Sequence, residues 1–356
     1  MSVTISVVVA AYNVQRYIEA CVGSILEQLS DQHELIVIDD GSHDNTLALV
    51  SRLQEQWRGK NFHVYSQANQ GISATRNHCV RAAMGEYVAF IDSDDVLLPG
   101  ALAALSEAIA LHQPDVIACN FRMWAPESRA RHQLIELGYP VGVPVTDRDD
   151  ILNIFFSDRH MYVWANIFRR AIYARLPAPL FPVGRVFEDV ATVPRLLSEC
   201  ASLLHLARPI IDYRQHPTSI TRVVSASWCR DFVAALPLAR AHLLAKGVSE
   251  SVKRHFDLAA AYFYIAVVKN SYQLPLKQGR QVRADIKRQF VENLFGNVDT
   301  LMESVRSRAL RSTSHQRDLD TIKTVQRALS NSLAFRFRLA ASRKIKLWRR
   351  LRKTPK

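Results

Sequence analysis

The sequence predicts an α/β protein with a mostly parallel sheet flanked by helices and a helical extension at its carboxyl end. Three observations carry this prediction. The first hundred residues alternate between short β-branched apolar segments and segments of helical periodicity, as consecutive β-α units do. Two acidic clusters directly follow two of the apolar segments. From Ser227 onward the pattern is helical almost throughout.

The individual elements follow from the residue pattern. Residues 3–9 are nearly all β-branched and apolar, as in a buried parallel strand. Asn13 and Asp44 have side chains suited to cap the first two helices. The helix that Asp44 would cap is predicted to end near residue 57, and further helices are predicted at 73–83 and 99–112. Further strands are predicted at 34–39, 62–65, 86–92 and 115–121. The polar stretch 125–144, rich in Pro and Gly, is predicted to be a loop or hairpin.

Length and composition define the class of protein. The 356 residues, 48% apolar and 22% charged, suit one large globular domain plus an extension. We expect an α/β domain at 1–224, a helical region at 225–320 and a basic tail at 321–356.

Cysteine usage and hydropathy indicate the compartment. The five cysteines are scattered without metal-binding spacing, which favours a reducing environment. The longest apolar run, 258–268, is far shorter than the roughly 20 residues that a transmembrane helix needs. These features predict a cytoplasmic protein that spans no membrane. The sequence contains no Walker A, GxGxxG or GxSxG motif, which argues against P-loop and Rossmann dinucleotide enzymes.

The sharpest motif is Asp92-Ser93-Asp94, which follows the apolar segment 87–91. Side chains two residues apart on a strand point to the same side. The two carboxylates are therefore expected to share one divalent cation such as Mg²⁺ or Mn²⁺, an ion that often bridges to phosphates. Taken alone, the triplet is also typical of a solvated turn.

Two further polar segments lie at the ends of predicted strands or the start of a helix. Asp39-Asp40-Gly41-Ser42 consists of turn-forming residues, but an aspartate at the open edge of a sheet can also bind a nucleobase or sugar. Residues 69–77 lead into a helix, and Gly71 suits a tight turn there. Arg76 is suited to bind a carbonyl or phosphate, or to lie on the surface.

Together these motifs resemble the family-2 glycosyltransferases of the GT-A fold. The segments that carry the resemblance are 6–13, 38–42, 69–71, 74–77 and 90–95. It extends to about 222 through Trp164-Ala165-Asn166, Phe187-Glu188-Asp189 and Tyr213-Arg214. The resemblance implies transfer of a sugar from a nucleotide-sugar, with inversion at the anomeric carbon and with a divalent metal. It also implies a nucleotide-binding half at 1–95 and an acceptor half at 96–224.

The resemblance implies a role for each matching residue. Ala11 and Tyr12 would line the base and ribose site, and either Asp39 or Asp40 would pair with the base, usually uracil. Asn69 and Arg76 would hold the nucleoside, Asp92 and Ser93 would face ribose and donor, and Asp94 with Asp92 would bind the metal. Glu188 and Asp189 would form the pair that supplies the general base, with Asp189 favoured. Trp164 would form part of the donor or acceptor wall, and His216 would be a further ligand of the metal or diphosphate.

Other interpretations stay open at this point. Glu188 and Asp189 also suit an ordinary helix start, where the helix dipole favours acidic residues. Trp164 also suits a core position, and His216 an ordinary loop. The chain as a whole also fits a non-catalytic nucleotide-sugar-binding or membrane-associated scaffold on the same fold. A nucleotidyltransferase is the remaining alternative, although residues 10–13 offer neither a glycine-rich loop nor a lysine.

The tail at 321–356 accounts for nearly all of the net charge of +13, because it contains twelve Lys and Arg and no acidic residue. A basic segment that also bears Trp348 and several apolar residues is typical of a membrane-surface element. A solvated charge run is the second interpretation and nucleic-acid binding the least favoured. We therefore expect a peripheral enzyme on the inner face of the cytoplasmic membrane, with a saccharide or lipid-linked glycan as acceptor. A homo-oligomer is left open.

Overall fold

The structure, a computed structural model, describes residues 3–127, 132–216, 224–311, Thr324 and 326–329. The described residues divide into two compact units, one within residues 1–222 and 241–249 and the other within 223–240 and 250–356. Apart from Thr324 and 326–329, the basic tail lies outside the described residues. The proposed domain limits and the membrane role of the tail therefore stay predictions.

A sheet of nine strands, counted over the described residues, organises the first unit. The strands are β1 (Ile5–Ala11), β2 (His33–Asp39), β3 (Phe62–Ser66), β4 (Tyr87–Asp92), β5 (Val96–Leu97), β6 (Val116–Trp124), β7 (Gln133–Ile135), β8 (Asn166–Arg169) and β9 (Leu203–Arg214). Their order across the sheet is β3-β2-β1-β4-β8-β6-β9-β5, and β7 pairs with β6. The strands β1 to β4 pair in parallel, as do β6 and β9, whereas β5, β7 and β8 pair antiparallel. The prediction of a mostly parallel sheet is confirmed.

The central strands are buried because their β-branched side chains are covered on both faces of the sheet. Every residue of β2 is buried, as are all residues of β1 except Ala10. This is the pattern of a parallel sheet flanked by helices. The helices are α1 (Ile18–Leu26), α2 (Thr46–Gln56), α3 (Ile72–Ala82), α4 (Ala101–His112), α5 (Arg148–Asp158), α6 (Arg170–Tyr173), α7 (Glu188–Leu197), α8 (Ala226–Ala234), α9 (Leu236–Ala245), α10 (Glu250–Ser271), α11 (Leu276–Glu292) and α12 (Val298–Arg311).

The first helix begins later than the sequence predicts. Asn13 does not cap it, since α1 starts at Ile18. Asn13 instead adopts a left-handed backbone with φ of 52°, and its Oδ1 accepts a hydrogen bond from the His43 amide at 2.8 Å. Asparagine tolerates this conformation better than most residues. It therefore joins the loop after β1 to the loop after β2. Asp44 accepts from the Thr46 amide at the start of α2, although the N-cap position of that helix is Asn45.

Among the described residues of the second unit, every regular element is a helix. Its core includes Tyr264 of α10 and Phe290 of α11, whose rings stack with centroids 4.4 Å apart. Buried Asp257 accepts hydrogen bonds from the amides of Phe295 and Gly296, at 2.8 and 2.9 Å, which fixes the turn after α11 against α10. In the part of the chain that the structure describes, no helix is both long enough and apolar enough to cross a membrane.

Candidate active site

Three neighbouring strands bring predicted site residues to one edge of the sheet. In the register of β1 with its neighbours, Ala11 is paired with Asp39 of β2, and Ala10 with Asp92 of β4. These positions are the carboxyl ends of the strands, where open parallel sheets bind ligands. The two acidic clusters of the sequence therefore meet at one edge.

The aspartate Asp40 has a structural role in this edge. It accepts three hydrogen bonds, at 2.8 to 2.9 Å, from the side chain of Gln67 and the amides of Gln70 and Gly71. Gly71 has a φ of 84°, which fits the tight turn predicted there. The Asp40 carboxylate therefore holds the loop that leads into α3.

Its neighbour Asp39 keeps one carboxylate oxygen open. Asp39 is 1% exposed, and its Oδ2 accepts from the Ser42 amide at 3.1 Å. Its Oδ1 is buried and has no hydrogen-bond partner among the described residues. A buried acceptor without a hydrogen bond costs free energy. Of the two carboxylate oxygens of Asp39, Oδ1 is therefore the one that an N–H of a ligand would satisfy.

Tyr12 and Asn69 lie on exposed loops close to Asp39. The Tyr12 ring is 43% exposed and meets His43 edge-on, with centroids 6.4 Å apart. Asn69 is also exposed. Its backbone nitrogen lies so close to Gly41 that a Cβ added at Gly41 would be only 2.9 Å away. Gly41, with φ of 71°, therefore permits this close approach. Ala11, by contrast, is buried and presents no exposed surface.

The carboxylates of Asp92 and Asp94, which the sequence predicts to share a cation, have different hydrogen-bond partners, although the charge of Asp94 acts on Asp92. β4 ends at Asp92, and the chain turns there, with the Asp95 amide donating to the Asp92 carbonyl at 2.9 Å. Side-chain alternation holds only within a strand, so the two carboxylates have different partners. Asp92 Oδ1 accepts from Arg76 Nη2 at 2.7 Å, whereas Asp94 Oδ2 lies 2.7 Å from His216 Nε2. Ser93, between them, is largely buried.

The predicted metal ligands are only partly brought together. Among the described residues, no group of three or more His, Cys, Asp or Glu side chains is placed to hold a metal ion. Asp94 and His216 do meet, and their side chains are 25% and 12% exposed. A carboxylate oxygen and an imidazole nitrogen suit Mn²⁺, and such ions commonly complete their coordination with water and phosphate oxygens. This pair therefore fits a metal ion, while Asp92 is tied to Arg76.

Arg214 organises the turn that carries Asp94, although sequence reasoning gave it no role. The Arg214 amide donates to Asp95 Oδ1 and its Nε donates to the Asp94 carbonyl, both at 2.7 Å. Its guanidinium carbon lies 4.2 Å from the ring centroid of Trp124 and 5.1 Å from that of Tyr17. The two hydrogen bonds span 119 and 120 residues of sequence, so no local pattern could have revealed them.

Arg76 is the centre of a buried group of carboxylates. Its Nη1 donates to Glu188 and to Asp189, and its Nη2 donates to Asp92. Arg76 is only 4% exposed. The sequence prediction gave Arg76 to the nucleoside, but its placement favours the carboxylates, because both terminal nitrogens already have anionic partners.

The start of α7 presents the acidic pair to Arg76. Phe187, just before the helix, has a left-handed backbone with φ of 66°, which costs a residue of this type roughly 1–2 kcal/mol. Glu188 and Asp189 then form the first turn, where the helix dipole stabilises negative charge. Asp189 Oδ2 also accepts from the Val163 amide at 3.2 Å. The Asp189 carboxylate is thus held by two different elements besides its own.

Burial changes the acidity of this group. The pKa of Asp189 is raised to about 7, chiefly by burial and also by the negative charges of Glu188 and Asp92, while Arg76 acts in the opposite direction. Burial likewise raises the pKa of Glu188 and of Asp92 above their usual ranges. A carboxylate with a pKa near neutrality can accept a proton and release it again at physiological pH.

Trp164 is buried within an aromatic cluster that lies beside Asp189. It is 2% exposed and stacks on Tyr162 with centroids 4.7 Å apart, and its ring lies 5.2 Å from that of Tyr213. Tyr162 and Tyr213 are half-buried. Burial raises the pKa of Tyr162, and the negative charge of Asp189 is the second cause of this rise. The sequence analysis missed Tyr162, although an aromatic residue at each of positions 160, 162 and 164 is a visible alternating signal, and it gave Tyr213 no role.

Comparison with solved structures identifies the fold. The structure of S. aureus TarS residues 1–349 in complex with UDP-GlcNAc superposes with a TM-score of 0.69 at 21% identity, over 92% of this chain and 90% of that one. A mannosyltransferase from Pyrobaculum calidifontis, in complex with GDP-Man and Mn²⁺, superposes with a TM-score of 0.52 at 18% identity, over 94% and 88%. These likenesses confirm the predicted GT-A fold with a helical carboxyl-terminal region.

Comparison of sequences identifies the family. The glycosyltransferase EpsJ of Bacillus subtilis is 27% identical over 221 residues, which are 62% of this chain and 63% of EpsJ, so the match covers less than two thirds of that relative. The glycosyltransferase GlyG of Streptococcus pneumoniae is 28% identical over 262 residues, which are 71% of this chain and 85% of GlyG. Residues 6–176 match the family model described as Glycosyl transferase family 2. The matched residues, 6–176, therefore form a domain of this family.

Proposed function

We propose that the protein is a metal-dependent inverting glycosyltransferase that moves a sugar from a UDP-sugar to a hydroxyl of a saccharide or lipid-linked glycan. The observation that carries the proposal is the pairing of two acidic centres at one sheet edge. One centre, Asp94 with His216, suits a metal, and the other contains Asp189 with a pKa raised by burial. Inverting sugar transfer needs both kinds of centre.

The donor nucleotide is proposed to bind at the carboxyl ends of β1 and β2. Asp39 rather than Asp40 would recognise the base, because Asp40 already accepts three hydrogen bonds while Asp39 Oδ1 has no partner among the described residues. An open acceptor matches the imide N–H of uracil. The exposed ring of Tyr12 would cover the base or ribose, and Asn69 would contact the nucleoside. TarS, which has the same fold, binds UDP and UDP-GlcNAc, and this supports a UDP-sugar donor.

Asp94 and His216 would hold the divalent cation, Mn²⁺ or Mg²⁺, together with oxygens of the donor diphosphate. When bound, the ion would neutralise the charge that develops on the departing nucleoside diphosphate. In this chain, Arg214 and Asp95 would support the site by fixing the turn that carries Asp94. The Mn²⁺ found with the Pyrobaculum mannosyltransferase supports this part of the proposal.

Asp189 is proposed as the general base, and Glu188 as its partner in the same cluster. The acceptor hydroxyl oxygen would form a bond to the anomeric carbon while the bond from that carbon to the diphosphate oxygen breaks, the electron pair leaving with the diphosphate. The hydroxyl proton would pass to the Asp189 carboxylate. One displacement of this kind inverts the anomeric carbon. Arg76 would act as a positioning residue, because it joins Asp189, Glu188 and Asp92.

The setting of this reaction follows from the proposed acceptor. A lipid-linked glycan lies at a membrane surface, which suits a cytoplasmic enzyme that binds the inner face of the membrane peripherally through residues 321–356. A role in cell-surface polysaccharide synthesis is consistent with relatives such as the chondroitin synthase of Pasteurella multocida, 38% identical over 100 residues but over only 10% of that protein. The half-buried tyrosines Tyr162 and Tyr213 are proposed to contact the acceptor, because their rings lie in the aromatic cluster beside Asp189.

The decisive experiment measures binding and hydrolysis of a panel of UDP-, GDP-, dTDP- and CMP-sugars in the presence of Mn²⁺. We expect one UDP-sugar to raise the thermal midpoint and to be slowly hydrolysed, and both effects to disappear with EDTA or in the Asp94→Ala variant. Glu107→Ala, on the distant helix α4, is the matched control and should behave as the unmodified protein. Stabilisation by a UDP-sugar without any hydrolysis or transfer would instead support a non-catalytic binding protein.

A further inference from the structure

Helix α11 of the second unit has two sharply different sides. One side is buried in the unit and contains Gly279, Val282, Arg283, Ile286 and Phe290. The solvent side contains four exposed cations, Lys277, Arg280, Lys287 and Arg288. Packing within the second unit explains the residues on the buried side of α11. The proposed catalytic chemistry does not use the cations on its solvent side.

The four cations have no anionic partner among the described residues. Elsewhere, exposed cations commonly pair with a carboxylate, as Arg52 does with Glu19 and Lys246 with Glu199. The acidic residue in the middle of α11, Asp285, is already engaged by Arg230 and by Gln281. The positive charge of the solvent side of α11 is therefore uncompensated.

The arrangement around the helix axis is also asymmetric. At about 100° per residue, the four cations fall within an arc of roughly 120°, and Leu276, Ala284 and Val291 fall within the same arc. Asp285, Glu292 and the glutamines Gln278 and Gln281 occupy the adjoining arc. Leu276 is 58% exposed and Val291 is 38% exposed. Basic and apolar side chains thus share one strip of the surface, and the acidic residues are kept off it.

We propose that this strip, formed by residues 276, 277, 280, 284, 287, 288 and 291 and here called the basic face of α11, docks onto an anionic lipid bilayer. Cations on this strip would lie at the level of the lipid phosphates, and the apolar side chains would enter the interfacial layer. This is the mixture that membrane-surface helices use. The inference goes beyond the proposed sugar transfer, and it concerns described residues rather than the tail at 321–356.

Charge complementarity favours a lipid surface over a nucleic acid. Nucleic-acid surfaces combine cations with hydrogen-bonding or stacking side chains that read bases. The basic face of α11 instead interleaves its cations with aliphatic side chains, and it carries no aromatic residue. Aliphatic side chains gain from an interfacial lipid layer but have little to contact on a phosphate backbone.

The test is flotation of the full-length protein with vesicles of phosphatidylcholine alone or with about 30% phosphatidylglycerol. The test variant combines Lys277→Gln, Arg280→Gln, Lys287→Gln and Arg288→Gln. The control variant combines Arg52→Gln, Arg58→Gln, Lys60→Gln and Arg81→Gln, which removes the same charge from exposed positions of the first unit. We expect the test variant to lose at least about tenfold in partitioning onto anionic vesicles, because each Lys or Arg near the membrane surface contributes to binding. The control should lose little, because charges more than a Debye length from the membrane are screened.

Several outcomes would overturn the proposal. Equal partitioning of the test variant, the control and the unmodified protein would do so, as would equal binding to neutral and anionic vesicles. If the test variant lost binding to a fluorescent DNA duplex but kept its binding to anionic vesicles, the face would be a nucleic-acid surface. The thermal midpoint and the response to UDP are measured on each variant. An unchanged UDP response with lost flotation separates this inference from the proposed function.

Discussion

The two acidic centres of the site are held in opposite ways. Asp189 and its neighbours surround the guanidinium of Arg76, whose side chain is 5% exposed. Asp94 instead faces the imidazole of His216, with a quarter of its side chain exposed and with no arginine side chain bonded to its carboxylate among the described residues. The first centre is closed and pinned, and the second is open on one side.

The difference follows from what each centre would have to do. A proton acceptor benefits from burial, which raises the pKa of a carboxylate toward neutrality, and from a fixed position. A cation site must admit an ion and a diphosphate, so its ligands need access and freedom to adjust. The same residue type therefore serves two purposes, and its surroundings decide which. Four predictions test this contrast.

The largest effect is expected at the closed centre. Asp189→Asn should lower kcat by about 10²- to 10⁴-fold, because it removes the proposed proton acceptor, and should leave UDP affinity within about twofold. The measurement is transfer rate alongside UDP binding by calorimetry. Glu188→Gln is the matched control, since it also neutralises an acid bonded to Arg76. An equal loss in both variants would assign the base to the pair rather than to Asp189.

The open centre should respond in metal affinity. Asp94→Asn and His216→Gln are each expected to weaken Mn²⁺ binding at least about tenfold in a titration with UDP present. Asp92→Asn should leave Mn²⁺ binding nearly unchanged, because Asp92 is bonded to Arg76 instead. A loss of Mn²⁺ affinity in Asp92→Asn that matched the loss in Asp94→Asn would remove the distinction between the two centres.

Removal of Arg76 tests the pinning directly. Arg76→Met leaves three carboxylates without their cation, and we expect the free energy of unfolding to fall by about 3–5 kcal/mol at neutral pH. The loss should shrink as the pH falls, because protonation neutralises the stranded carboxylates. Urea unfolding at several pH values provides the measurement. Arg52→Met is the control, since its pair with Glu19 is half exposed and is worth at most about 1 kcal/mol. Equal losses would show that the cluster has no special stability.

The smallest effect is the pH dependence of the unmodified protein. Asp189 must be ionised to accept a proton, so kcat should rise with pH and level off, with a midpoint of about 7. Arg76→Lys keeps a positive charge in the cluster and should move the midpoint by less than about one unit, whereas Arg76→Met should move it upward. A rate that stays constant between about pH 5.5 and 8 would contradict the assignment of Asp189.

Most of the sheet was predictable because its signals are local. Runs of apolar, mostly β-branched residues predicted β1, β2 and β4, and the acidic clusters after the second and third of these runs placed Asp39 and Asp92 at the carboxyl ends of β2 and β4. Local rules failed where an element ends. The alternation that suggested a shared site for Asp92 and Asp94 stops at the end of β4, and Asn13 joins two loops instead of capping α1.

The partners of the site residues were not predictable, because they lie far away in the chain. Arg76 and Glu188 are separated by 112 positions, and Asp94 and His216 by 122. The family resemblance implied a nucleoside role for Arg76, and its place after a turn suited a phosphate or carbonyl. Only the position of α7 shows that two acidic residues already engage it.

The long reach of Arg76 has a consequence for synthesis of the protein. A ribosome delivers Arg76 and Asp92 well before it delivers Glu188 and Asp189, so the early strands must fold while half of this cluster is missing. Until α7 arrives, the guanidinium and the Asp92 carboxylate have only each other. The proposed base thus joins Arg76 before β9 brings Arg214 to Asp95 and before His216 reaches Asp94, so the buried acidic centre can be complete while the proposed metal site still lacks a ligand.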